Sequence, residues 1–334
     1  MKFAVVALSA ALVLSLFAVG AAPRNSGAQT RAVLEACREG WNRIPAGKLP
    51  SKVDLERCPV ENRPIVDGGV EVVLPKAGEG VHAEILSTNG SQELEVARRK
   101  NGTVELDEVG NEAKESLPDK AAPIFYAASR GPGACRDPAY KLTGWRIYGT
   151  VSYRYNNRRA PRHLNPRAAR RAVRKAGSNM ARNHNSCRLR DQVEARLAFR
   201  GKTRRVANIK PNGRCGRTDR KSVVSFGRLR GRQLAVTCTY FKIRKGFDRV
   251  TAADIKIDRS NVRWTTRPRG RSCRRAFDLQ SVLTHEFGHA FGLGHVSERA
   301  HPNQTMSPRI NGPCQRSERS LGKGDVRGLA RKYR

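Results

Sequence analysis

His285-Glu286-Phe287-Gly288-His289-Ala290-Phe291-Gly292-Leu293-Gly294-His295 is the stretch that decides how the rest of the chain is read. Residues four apart stack on one face of an α-helix, so His285 and His289 can offer two imidazole nitrogens to one metal ion. Glu286 lies one step round the helix, beside the metal but outside its ligand set, where it can take a proton from a metal-bound water. A third ligand at His295 reaches the same ion only if the helix stops and the chain bends. Gly292 suits that bend, because glycine adopts positive φ without steric cost. Three histidines with one open position describe a catalytic Zn2+ site, whereas a structural site is normally closed by a fourth protein ligand.

Working outward, residues 277–294 contain only two charged side chains, Asp278 and Glu286, in a chain with 65 Lys+Arg. Leu279, Val282, Leu283, Phe287, Ala290 and Phe291 form a broad apolar arc, so the helix is expected to be buried. Glu286 then lies in the interior, where an unpaired carboxylate is costly and a cation is its natural partner.

These residues resemble the signature of the metzincin zinc peptidases, in which a methionine turn follows the third histidine. Met306, in Gln304-Thr305-Met306-Ser307-Pro308, stands eleven residues after His295. The resemblance implies that Met306 supports the imidazoles from below without binding the metal, and that water fills the fourth position. It is closest to the matrixin-like branch found in small secreted bacterial peptidases. The implied activity is a zinc endopeptidase that hydrolyses peptide bonds by zinc-activated water, with Glu286 as general base. Its implied fold is α+β, a zincin-like domain of twisted mixed sheet plus active-site helix. The family also suggests that Leu234 to Phe241 is an edge strand, where Leu234, Ala235, Val236 and Thr237 hold an extended substrate by strand addition. Pro308 and the residues up to Cys314 are expected to wall the pocket for the side chain after the cut bond.

The chain opens with Lys2, an apolar run from Phe3 to Val19 and the small residues Gly20, Ala21 and Ala22. That order reads as a secretory signal peptide over residues 1–22, and hence as an extracellular protein. Eight cysteines without a Cys-x-x-Cys pair fit disulfides in an exported chain. Cys273 with Cys314 would staple the lower half of the site, and Cys37 with Cys58 would close a pair near the N-terminus.

Charge splits the mature chain. Residues 23–122 carry 14 Lys+Arg and 17 Asp+Glu, a net of −3, whereas residues 123–334 carry 50 and 12, a net of +38. This break argues for two units, 23–122 and 123–334, joined by a linker near Lys120 to Pro123. The first is small and mostly β, with strand-like runs at 69–74 and 81–86, and no catalytic constellation is evident in it. The family resemblance implies a propeptide that covers the cleft, and an accessory region is the alternative. Arg57-Cys58-Pro59 shares only Arg-Cys with the matrixin thiolate switch.

In the second unit, strands are expected at 145–155, 193–199, 223–226, 234–241 and 254–257. Helices are expected after the Asn165-Pro166 cap and over 324–333. His82, His163, His184 and His301 lack metal-ligand spacing and read as surface or packing residues.

The large positive charge attracts polyanions such as cell-wall polymers and anionic surfaces. A second functional class is therefore a secreted cationic polyanion-binding protein with a structural or vestigial zinc site. With aromatics at 6% and no helix-turn-helix pattern, a specific nucleic-acid partner is not indicated. A protein or peptide substrate and a monomeric enzyme are the expectation. Calcium (Ca2+) is left open, as no Asp-rich loop stands out.

Overall fold

The computed structural model describes residues 42–49, 51–54, 63–107, 131–270, 273–310 and 312–334. The expected signal peptide, the Cys37/Cys58 pair and the linker lie outside the described residues. One ten-stranded sheet dominates the fold. Its N-terminal strands are β1 (Lys52–Asp54), β2 (Glu79–Ser87), β3 (Gly90–Arg98) and β4 (Thr103–Asp107). The remaining six are β5 (Trp145–Arg146), β6 (Thr150–Asn156), β7 (Arg196–Lys202), β8 (Ser222–Gly227), β9 (Gln233–Lys242) and β10 (Asp248–Asp258). The order across the sheet is β7-β6-β8-β10-β9-β2-β3-β4-β1, with the short β5 beside β10.

The four strands β7, β6, β8 and β10 run parallel, and β9 returns antiparallel to β10. The expected strand over 145–155 is broken into β5 and β6, and Gly149 with φ of 70° takes the bend between them. Beyond β9 the antiparallel meander β2-β3-β4-β1 continues the same sheet.

This corrects one expectation. Leu234 to Phe241 is not an edge strand in the full chain, because β2 covers the free side of β9 from Gln233 to Lys242. An exposed strand edge is a template for any extended chain, and the N-terminal unit supplies that chain internally. The two charge blocks therefore share a sheet, although their compositions differ.

Three helices pack on the sheet or close the domain: α1 (Pro166–Ala181), α2 (Leu279–Ala290) and α3 (Lys323–Tyr333). Asn165 caps α1 by accepting from the amides of Arg167 and Ala168, and Pro166 occupies the first turn, where its missing N–H costs nothing. Ala169, Val173, Ala176 and Met180 are buried along one side of α1, while Arg167, Arg171, Arg174 and Lys175 face solvent.

All twelve residues of α2 are buried. Asp278 caps it through the amide of Ser281 and receives the Arg319 guanidinium at 2.6 Å. Leu283 and Phe287 lie in the main core with Tyr153, Trp145 and Phe226. Truncating either to alanine is expected to cost roughly 2–5 kcal/mol.

A second core lies on the other sheet face. Val81, Ala83, Ile85, Leu94 and Val96 of the N-terminal hairpin meet Val236, Cys238 and Tyr240 of β9 there. Cys238 is bridged to Cys215, whose backbone pairs with Glu71 and Val73. The expected Cys273–Cys314 bridge is present, and Cys135–Cys187 is the third. Among the described residues no helix is long and apolar enough to cross a membrane.

Candidate metal centre

Helix α2 lies below the junction of β9 and β2 and presents His285 and His289 from one face. Their Nε2 atoms are 3.2 Å apart, and His295 Nε2 is 3.0 Å from that of His285. Ligands 2.0–2.1 Å from a tetrahedral ion are separated by about 3.3–3.4 Å, so the imidazoles are spaced for one shared cation. Burial, followed by the charge of His295, lowers the His285 pKa to about 3. The same causes hold His289 well below its ordinary value. Both rings are therefore neutral at pH 7, as ligation requires.

The His285 tautomer is fixed from behind. His285 Nδ1 donates to the Thr305 carbonyl at 2.8 Å, which leaves Nε2 unprotonated. Thr305 is held in turn by Asp325 of α3, which accepts from the amides of Thr305, Met306 and Gly322. Burial raises the Asp325 pKa to about 6, against the lowering effect of these amides. Met306 is buried below the helix, and Gly288 makes room for it. A Cβ on Gly288 would stand 2.2 Å from the methionine sulfur.

The bend before His295 falls where the sequence places it. Gly292 has φ of 82°, and its amide donates to the His289 carbonyl at 2.9 Å. Trp145 Nε1 donates to the same carbonyl, also at 2.9 Å. Glu286 is fully buried beside the histidines, with Oε2 accepting from Thr237 Oγ1. Its Oε1 has no partner among the described residues. Burial lifts its pKa to about 7.

The segments expected to bind substrate are placed differently from one another. Thr237 reaches Glu286, whereas Leu234 and Ala235 join the main core and Val236 joins the second one. Pro308 is buried beyond Met306. His163, His184 and His301 lie outside the cluster, and His301 is paired with Asp137 at 3.0 Å.

The N-terminal hairpin contributes what sequence reasoning missed. Cross-strand register aligns Thr237 of β9 with Glu84 of β2 and Glu93 of β3. The next row is Thr239, His82 and Glu95. Side chains alternate across a strand, so these rows face the histidines while Val81, Ala83 and Ile85 face the second core.

Ser91 Oγ lies 3.0 Å, and Glu93 Oε1 3.1 Å, from His295 Nδ1. His82, expected as a surface or packing residue, is buried beside the histidines, with its ring 4.8 Å from that of Trp145 and 5.7 Å from that of His289. The usable signal was the period-two alternation of His82 and Glu84, then Ser91, Glu93 and Glu95, against apolar neighbours.

Two groups among the described residues are arranged to hold a metal, and both are here: Glu84 with His285, His289 and His295, and His82 with Glu93 and His289. Neutral His285 and His289 rings, the fixed His285 tautomer and the buried carboxylates of Glu84, Glu93 and Glu286 fit a divalent cation of the zinc type. Residues 145–334, more than half of the chain, match the family model described as matrixin. No curated protein matches the chain in sequence.

Proposed function

The chain belongs to the matrixin family of metallopeptidases, and from that premise we propose that it is a secreted zinc endopeptidase made as a zymogen. The convergence of the His285, His289 and His295 Nε2 atoms beside Glu286 carries this reading. Bound zinc supplies a Lewis acid that polarises a carbonyl and makes a water acidic. Glu286 takes the proton of the attacking water at Oε1 and returns it to the leaving amine, while Thr237 orients the carboxylate through Oε2.

β9 holds the substrate through its backbone once β2 has left, and main-chain pairing needs no free substrate terminus, which supports internal cleavage. Residues 308–310 and 312–314 are read as the wall of the pocket beyond the cut bond. Arg309 donates to the Asn89 carbonyl at the hairpin tip at 3.2 Å, so the N-terminal unit also covers that side.

Residues 23–122 are read as a propeptide, and three disulfides together with the apolar N-terminal run support export. The test is casein digestion by the secreted protein after its N-terminal unit has been removed. Activity should vanish with a chelator, return with zinc and fall about 10^2–10^4-fold in Glu286→Ala, which should still bind zinc. Chelator-insensitive behaviour without proteolysis would replace this reading.

The net +38 of residues 123–334 favours a second reading, a polyanion-binding protein with a structural metal. Heparin retention that disappears at modest salt marks a nonspecific basic surface on an enzyme. Retention that survives salt favours the second reading.

A further inference from the structure

We propose that Glu84 is the fourth protein ligand of the metal, so that the full chain is closed by a glutamate carried on the strand that occupies the substrate's place. The inference rests on the same three-histidine centre as the proposed peptidase. One carboxylate oxygen of Glu84 and one ring nitrogen from each of His285, His289 and His295 all lie within 4.8 Å of one another. No cysteine thiol does this work among the described residues, because their cysteines are all paired in disulfides.

Register fixes the placement. Glu84 stands directly opposite Thr237, the residue that holds Glu286. Antiparallel partners on one face have Cβ atoms about 4.5–5.5 Å apart, so the ladder delivers this carboxylate to the catalytic one. Glu93, the next residue in the row, takes a different position behind the rings, against His295 Nδ1. The two glutamates thus divide the roles of ligand and of support for the ligand's far nitrogen.

Charge makes the same demand. Glu84 is wholly buried, with the Glu286 carboxyl as its close neighbour. Glu93 and Glu286 are buried beside it, and the charge of each raises the cost of ionising Glu84. Three carboxylates in a dry site are costly without a cation, and a divalent ion touching Glu84 offsets that cost. Four protein ligands leave a tetrahedral ion no place for water. Departure of β2 breaks its ladder with β9 and exchanges the carboxylate for water.

The test uses the intact protein with cobalt(II) in place of zinc, and azide as the entering ligand. The wild-type visible spectrum should ignore azide, whereas Glu84→Ala and Glu84→Gln should shift with it. Zinc release to a chromogenic chelator should speed by about tenfold or more in both variants, since even outer-shell losses weaken metal sites by about 10–100-fold. Hydrogen exchange at β9 checks that β2 stays paired in the variants.

A wild-type spectrum that responds to azide as the variants do would overturn the proposal, as would variants with unchanged zinc release. Failure of the intact protein to bind a stoichiometric metal would overturn both this inference and the peptidase reading. Azide-responsive variants that show no proteolysis even after loss of the hairpin would support the fourth ligand while removing the peptidase.

Discussion

Gly292→Ala tests how tightly the bend before His295 is built. Gly292 sits at φ of 82°, and a Cβ there would lie 2.3 Å from the Trp145 carbonyl oxygen and 2.7 Å from Lys332 Nζ. The left-handed conformation alone costs an alanine about 1–2 kcal/mol. Overpacking against a backbone atom adds about 1–3 kcal/mol, for a total of roughly 2–5 kcal/mol. The shift is transmitted to the metal site, because Trp145 donates to the His289 carbonyl and its own carbonyl accepts from Lys332.

Gly231→Ala is the matched control. Its φ is 58°, but a Cβ there meets nothing within 4 Å, so only the conformational part applies. Urea unfolding of both variants with zinc present should separate them by the overpacking part, and only Gly292→Ala should lose zinc affinity. A Gly292→Ala variant within about 0.5 kcal/mol of Gly231→Ala, with wild-type zinc affinity, would refute this account of the bend.

Other outcomes follow from the shared sheet and the buried charges. Cutting the chain between residues 107 and 131 should leave two fragments that co-elute and remain inactive, because the β2–β9 ladder and the second core hold them; separation on gel filtration without denaturant would contradict this. Removing the Cys273–Cys314 bridge with a double alanine variant should cost about 4 kcal/mol by loop entropy, given its separation of 41 residues, and chemical unfolding measures it. Burial, followed by the charge of Arg146, lowers the Lys332 pKa to about 7. The unfolded chain therefore binds more protons than the folded one between pH 7 and about 10.5, so this group makes stability rise with pH across that window. Lys332→Met should flatten that rise, and an unchanged slope in pH-dependent unfolding would count against the assignment.

The metal helix was legible because its information is local. Residues four apart share a helix face whatever the rest of the chain does, and Gly292 marks the bend in the same eleven residues. The Asn165 cap and the β-rich strands of the second unit follow from similarly short patterns. Glu84 and Glu93 were not legible as site residues, since they meet His295 only through a pairing between strands some 150 residues apart in sequence.

The acidic composition of 23–122 pointed toward a separate unit, yet charge reports on surfaces and not on which backbone edges pair. The alternation of His82 and Glu84 did carry a signal. Polar side chains on one face of an otherwise apolar hairpin must be satisfied by something, and here that face meets His289 and His295.

Zinc K-edge X-ray absorption on the intact protein tests the central claim most directly. Three imidazole nitrogens at about 2.0–2.1 Å and one carboxylate oxygen at about 2.0–2.2 Å are predicted. Fewer than three imidazoles around the ion, or a sulfur at about 2.3 Å, would contradict it.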